Sequence, residues 1–128
     1  MITAIYAALL ALLVVWLSLQ VVRLRRAKQI RLGDGGDAQL QGAIRAQANA
    51  AEYIPVALIL LLLLELSGGH PVLLHAGGAA FVMGRVLHAR ALLTDTLRPR
   101  VLGMQFTLFT IIGLAIACLA YVGYGYLA

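Results

Sequence analysis

The chain has 128 residues, of which 62% are hydrophobic and only 12% are charged. An average soluble domain is about half apolar and about a quarter charged, so this composition excludes a soluble monomer. The same apolar excess excludes intrinsic disorder, and a single cysteine excludes an internal disulfide. A net charge of +5 in so apolar a chain indicates cations at the cytoplasmic membrane surface rather than a nucleic-acid partner.

Long stretches with little or no charge dominate the chain, and in chain order they are residues 2–22, 46–64, 66–84 and 101–128. A membrane-spanning helix needs about 20 apolar residues. Glycine and proline, as in Gly68-Gly69-His70-Pro71, mark breaks between the stretches. No two-residue alternation indicates a strand.

We therefore predict a single domain over residues 1–128, an all-α integral membrane four-helix bundle with up-down-up-down topology. The predicted helices span about 2–29, 38–66, 71–94 and 99–126.

The cations are distributed unevenly among the three links. The second link, around His70, has no lysine or arginine, whereas the first and third links are basic. Cytoplasmic loops are enriched in these residues, so we expect both basic links in the cytoplasm and both termini on the periplasmic side. The basic residues are Arg23, Arg25, Arg26, Lys28 and Arg31 in the first link, and Arg90, Arg98 and Arg100 in the third.

Polar side chains lie on one face of the second predicted helix, where Arg45, Asn49 and Glu52 follow each other at spacings of four and three. One interpretation is an intrahelical ladder in which Asn49 bridges the two charges and only holds the bundle together. The other is a pocket, since arginine grips a carboxylate with two hydrogen bonds and Glu52 would take an ammonium. Such a trio suits a small zwitterion with carboxylates, and Tyr53 would supply a second wall.

The third predicted helix carries Arg85 and His88 on a shared face near its end. Arg85 would line a pocket, form an ion pair or reach toward the headgroups. A neutral imidazole at His88 would donate, accept or shuttle a proton. No histidine or cysteine spacing indicates a metal site.

A row of small residues, Gly42, Ala46 and Ala50, runs along the second helix at four-residue spacing. Such rows allow close contact between membrane helices. We therefore consider this row a candidate seam between subunits.

The segment Arg45-x3-Asn49-x2-Glu52-Tyr53-x-Pro55 resembles the signature of the MAPEG superfamily, the membrane-associated proteins in eicosanoid and glutathione metabolism. The basic first link and the Gly84-Arg85-x2-His88 end of the third helix extend the resemblance. The Asp-Gly-Gly link at 34–36 is similar to that of small bacterial inner-membrane members of the YecN-like kind.

The resemblance implies a homotrimer that binds glutathione between neighbouring subunits near the cytoplasmic side. It implies that one subunit holds glutathione through the residues that match the family's motif, and that Gln47 reaches the ligand from the neighbouring subunit. In the family, an arginine at the end of the first helix also takes part in binding glutathione. Arg23, Arg25 and Arg26 are the candidates for this position, and we assign it to Arg26. The motif positions on the second and third helices are Arg45, Asn49, Glu52, Tyr53, Arg85 and His88.

The resemblance also implies a chemistry, in which an arginine near the start of the fourth helix stabilises the glutathione thiolate; Arg98 and Arg100 are the candidates. The expected function is a glutathione transferase or peroxidase that acts on lipophilic electrophiles or hydroperoxides. The chain departs from the conjugating enzymes at two tyrosine positions, of which the first matches His88 and the second, one turn later, matches Leu92 or its neighbours. A non-catalytic membrane protein that binds lipids or ligands, or serves as a scaffold, is the alternative.

Overall fold

The computed structural model describes all 128 residues and contains four helices and no strands. Each helix is long and apolar enough to cross a membrane, so the predicted all-α membrane architecture is confirmed. The first helix ends one residue before its predicted limit, and the fourth begins two residues earlier and ends one later. The helices are α1 (Ile2–Lys28), α2 (Ala38–Leu66), α3 (Pro71–Thr94) and α4 (Leu97–Leu127).

Local hydrogen bonds fix where the helices begin. The Asp37 carboxylate accepts the backbone N–H of Leu40 at 2.8 Å and so caps α2. The ring of His70 accepts the N–H of Val72 at 3.3 Å, directly before Pro71 opens α3. These side chains replace hydrogen bonds that the first turn of a helix cannot make internally.

The helices pack as an open bundle with α2 and α3 in the middle. Helix α1 packs against α2 and α3 on one side, α4 packs against the same two helices, and α1 and α4 do not touch. The largest core cluster includes Leu10 and Leu17 of α1, Ile54 of α2 and Phe81 of α3. The outer faces of α1 and α4 remain apolar and exposed, as expected for helices in contact with lipid.

Hydrogen bonds at the two ends of the bundle identify which helix ends lie together. At one end, the N–H groups of Ile2 and Thr3 donate to the Glu65 carboxylate at 2.5 and 2.8 Å. At the other, which we call the basic end, Lys28 and Asp37 form an ion pair at 2.7 Å. Helices α1 and α2 therefore run in opposite directions, as the up-down-up-down topology requires of neighbours.

Two glycines bring α3 and α4 into backbone contact. A Cβ atom at Gly103 would lie 2.6 Å from the backbone nitrogen of His88 and 2.8 Å from the carbonyl oxygen of Gly84. No side chain fits in that space, so the crossing depends on glycine at 103. The close contact also places the first two turns of α4 beside Arg85 and His88.

The prediction that the small-residue row of α2 forms a seam between subunits is wrong. Ala46 and Ala50 are buried in the core of this chain, with exposed fractions of 0% and 1%. A Cβ atom at Gly42 would lie 2.8 Å from the carbonyl oxygen of Leu92 on α3. The row is occupied by contacts within the subunit because α3 lies against it.

Replacing Gly103 by alanine tests the close crossing. We expect Gly103→Ala to push α4 away from α3 and to destabilise the protein by about 1–3 kcal/mol, the usual cost of overpacking. Gly113→Ala on the same helix is the matched control, since nothing lies within 4 Å of the added methyl. Unfolding in detergent provides the comparison, and a Gly103→Ala protein as stable as Gly113→Ala would contradict the close contact.

The link between α1 and α2 predicts a specific pH dependence. The hydrogen bond from Lys28, followed by that from the Leu40 N–H, lowers the pKa of Asp37 below its ordinary value of 3.8. Because the folded state has the lower pKa, Asp37 stabilises the protein above pH 3.8, and the stabilisation is lost as the pH falls through the lowered value. The stability difference between wild type and Asp37→Asn should therefore shrink in acid.

Unfolding midpoints in detergent across the acidic range measure this difference. Asp34→Asn is the control for loss of a carboxylate in the same link, because Asp34 forms no ion pair. A difference for Asp37→Asn that stays constant into acid would contradict the assignment.

Candidate functional site

A guanidinium buried between three helices lies at the centre of the site. Arg85 of α3 has no exposed surface. Its Nη2 donates to Asn49 Oδ1 of α2 at 2.6 Å, and its Nη1 donates to Thr107 Oγ1 of α4 at 3.2 Å. The guanidinium carbon lies 5.8 Å from the centroid of the Tyr53 ring, within reach of a cation–π interaction. Arg85 therefore joins α2, α3 and α4 through polar contacts.

His88 accepts a further hydrogen bond from the same guanidinium. Arg85 Nη2 lies 3.2 Å from His88 Nδ1, and only 4% of His88 is exposed. A guanidinium has donors and no acceptor, so Nδ1 must be the unprotonated ring nitrogen in this contact. The ring proton of the neutral imidazole is therefore on Nε2.

No carboxylate balances the buried charge. The one ion pair in the chain is Lys28–Asp37 at the basic end, and Nε of Arg85 has no hydrogen-bond partner. The intrahelical ladder considered for α2 is not formed: Asn49 Oδ1 accepts from Arg85 rather than bridging Arg45 and Glu52. The ladder fails because the close approach of α3 gives Asn49 a cationic partner on another helix.

Asn49 and His88 line a cavity of about 420 Å³ together with Arg100 of α4. We call this cavity the inner cleft. Its remaining lining is mainly apolar and comes from α4, from Val101, Met104, Gln105 and Leu108. The inner cleft therefore combines four polar side chains from three helices with an apolar wall.

A second cavity, of about 570 Å³, lies toward the basic end and also includes Arg100. We call it the mouth cavity. Arg45 of α2 and Asp95 of the α3–α4 turn line it, and neither arginine forms an ion pair with Asp95. Because Arg100 lines both cavities, the mouth cavity and the inner cleft meet at this side chain. Together they present two unpaired guanidinium groups and one unpaired carboxylate.

Only some of the other predicted site residues of this chain line these cavities. Arg98 is exposed and lines neither cavity, unlike Arg100. Glu52 is also exposed and forms no ion pair, while Tyr53 is half-buried against Arg85. Leu92, one of the candidates for the second tyrosine position, lines the mouth cavity. The ligand roles predicted for these residues stay predictions.

Gln47 lies away from the mouth cavity and the inner cleft. It lines a smaller groove of about 210 Å³ between α1 and α2, together with Arg25. Arg25 is held there by hydrogen bonds from Nη1 to the carbonyl oxygens of Gly33 at 2.7 Å and Ile30 at 3.4 Å. Arg26, the assigned arginine of α1, is exposed and does not line this groove. Of the three candidates, Arg25 is therefore the one beside Gln47.

Asp95, Gln105 and Thr107 were missed by the sequence reasoning. Asp95 follows the last turn of α3, and the available signal was a carboxylate close in sequence to Arg98 and Arg100. Gln105 and Thr107 lie in an uncharged stretch, where polarity alone was the available signal. Their roles depend on the α3–α4 crossing, which no local pattern reveals.

An apolar groove of about 470 Å³ lies between α3 and α4 on the outside of the bundle. Gly77 and Gly113 contribute no side chains to it, and Phe106 and Phe109 form its walls. Gln105 lines both this groove and the inner cleft. A lipophilic molecule in the groove would therefore lie next to the polar groups of the cleft.

Comparisons with known proteins identify relatives along nearly the whole chain. The MAPEG family matches residues 3–120. The chain is also 39% identical over 121 residues to a protein called inner membrane protein YecN from Escherichia coli strain K12, which covers 94% of this chain and 92% of that protein. The protein of the same name from Escherichia coli O6:H1 strain CFT073 matches to the same extent.

Proposed function

The chain belongs to the MAPEG family, and from this premise we propose that it binds glutathione in the mouth cavity and inner cleft and activates its thiol. The family is associated with glutathione-related functions. The observation that carries the proposal is the pair of adjoining cavities that share Arg100. Four apolar helices and relatives named as inner membrane proteins support a multi-pass protein of the bacterial inner membrane.

The charges of the two cavities are complementary to those of glutathione. Glutathione carries two carboxylates, one ammonium and one thiol. Arg45 is exposed in the mouth cavity and can grip a carboxylate. The family pattern assigns the ammonium to Glu52, and Asp95 is a second carboxylate within the mouth cavity. The amide nitrogen of Asn49, which lines the inner cleft, can donate to an anionic atom of the ligand.

Arg100 is the residue we propose to act on the thiol. A nearby guanidinium favours the thiolate over the thiol and so lowers the pKa of the ligand's sulfur. The thiol proton leaves to water, and the thiolate forms a bond to an electrophilic carbon while the leaving group departs with its electron pair. With a hydroperoxide, two glutathione molecules give the disulfide, an alcohol and water. Arg98 is less suitable because it lines neither cavity.

The second substrate would be lipophilic and would arrive from the membrane. The apolar groove between α3 and α4 meets the inner cleft at Gln105. A molecule dissolved in lipid can enter such a groove without crossing water. Its reactive atom would then lie next to the cleft in which the thiolate forms.

A homotrimer would complete the site. Glu52 occurs midway along α2, in an apolar segment, and is exposed on the single chain. A carboxylate facing lipid is costly, so a second copy covering this face would reduce the cost. The separate groove with Gln47 and Arg25 is then free to face a neighbouring subunit's ligand. We place the basic end in the cytoplasm and both termini on the periplasmic side, following the distribution of cations.

Binding without catalysis is the second candidate function. The resemblance matches His88, and Leu92 or its neighbours, to tyrosines of the conjugating enzymes, and the Leu92 side chain has no hydrogen-bonding group in the mouth cavity. A protein that only binds a ligand would hold glutathione without forming the thiolate. The two candidates therefore differ in the ionisation of the bound thiol.

Arg45→Ala tests the binding proposal. We expect it to weaken glutathione binding about 10- to 100-fold, the usual loss for charged hydrogen bonds, and to abolish the increase in unfolding temperature that glutathione produces. Arg90→Ala is the matched control, because Arg90 is an exposed arginine of α3 that lines neither cavity. Equal heat stabilisation of both variants by glutathione would contradict the proposed site.

Arg100→Leu tests thiol activation. We expect the ultraviolet absorbance of bound thiolate to disappear near neutral pH and turnover to fall by about 10²- to 10³-fold, as when one transition-state donor is removed. Arg98→Leu, two residues earlier, should leave the thiolate signal intact. Glutathione binding with no thiolate signal in the wild-type protein would instead establish the non-catalytic function.

A further inference from the structure

We propose that Arg85 is a positioning residue that fixes His88 Nε2–H and the Asn49 amide as hydrogen-bond donors to an anionic group in the inner cleft. Arg85 itself has no exposed surface and so acts through its two neighbours. This role deepens the proposed function, and the identity of the anion rests on that function. In that setting the anion is the sulfur of glutathione as a thiolate.

The contact between Arg85 and His88 determines the tautomer of the imidazole. Nη2 of Arg85 lies 3.2 Å from His88 Nδ1, and arginine can only donate. A proton on Nδ1 would point at a cationic donor, so the ring carries its proton on Nε2. Since His88 lines the inner cleft and Nδ1 is occupied, Nε2–H is the polar group left for a ligand.

The contact between Arg85 and Asn49 orients the amide in the same way. Asn49 Oδ1 accepts from Arg85 Nη2 at 2.6 Å, which engages the side-chain oxygen and leaves the amide nitrogen without a partner in the chain. Asn49 also lines the inner cleft. Without Arg85, the amide could rotate and present its carbonyl oxygen to the ligand.

The buried charge favours an anion in the cleft for a second reason. Arg85 stays protonated, and the chain supplies no carboxylate within ion-pair distance. Buried charges in proteins are usually paired, and charges inside membrane segments usually face a site. An anion held by His88, Asn49 and Arg100 would balance the guanidinium.

The tautomer of His88 tests the inference without any ligand. The chain has three histidines, and nitrogen NMR of protein labelled with ¹⁵N-histidine, assigned with His88→Gln, reports which ring nitrogen is protonated. We expect His88 to be neutral, with the proton on Nε2. In Arg85→Met the donor to Nδ1 is absent, and a mixture of the two tautomers should appear. A proton on Nδ1 in the wild type would overturn the inference.

A matched pair of ligands tests recognition of the anion. Glutathione sulfonate carries a negative group at the sulfur, whereas S-methylglutathione is neutral there. We expect the wild-type protein to prefer the sulfonate by about tenfold or more, the usual effect of charge-assisted hydrogen bonds, and Arg85→Met to lose most of this preference. Arg85→Lys, which keeps the cation but has one donor group, should retain part of it.

Thr107→Val separates positioning from general stability. It removes another partner of Arg85 but leaves the bonds to Asn49 and His88, so the tautomer and the sulfonate preference should persist. If Arg85→Met does not fold, the inference is tested by the tautomer of His88 in the wild type and by the sulfonate preference of Arg85→Lys. Failure of every glutathione derivative to bind would refute the proposed function and the anion site together. If no derivative binds but the ring proton of His88 is on Nε2, only the positioning of His88 by Arg85 would be supported.

Discussion

The guanidinium of Arg85 is a full charge inside a bundle of membrane helices, and the structure around it supplies acceptors rather than a carboxylate. Asn49 on α2, His88 on α3 and Thr107 on α4 each accept one of its N–H groups. Desolvating a charge costs several kcal/mol, so these contacts can form only if the three helices approach closely. The glycine at 103 permits that approach. The hydrogen bonds of Arg85 therefore depend on the close packing of α2, α3 and α4, and they in turn join these helices.

Because Arg85 is buried, the arginines that surround the two cavities fall into two groups, one enclosed and one accessible to a ligand. Arg85 is enclosed and orients its neighbours, whereas Arg45 and Arg100 remain free to contact a ligand in the adjoining cavities. An enclosed cation raises the positive potential of the cleft without occupying it. This division would let a small chain with few charges bind the anionic thiol that we propose as its ligand.

The helices were predictable because length and apolarity are local signals. The bounds in the structure differ from the predicted ones by no more than two residues. The motif on α2 predicted polar residues on one face but not their partners. Asn49 pairs with Arg85, 36 residues away, and the ladder and the subunit seam were wrong because α3 occupies that side of α2. Thr107 and Asp95 gained significance only from the packing of α4, which no spacing in the sequence reveals.

A structure of the protein with glutathione bound would show whether the two cavities form the ligand site and whether Arg85 acts through its neighbours. We expect the ligand's sulfur in the inner cleft, within hydrogen-bond distance of His88 Nε2 and Arg100, and a ligand carboxylate on Arg45. Arg85 should remain bonded to Asn49 and His88 and make no contact with the ligand. Glutathione bound outside the two cavities, or directly on the Arg85 guanidinium, would contradict the proposed site and the positioning role of Arg85.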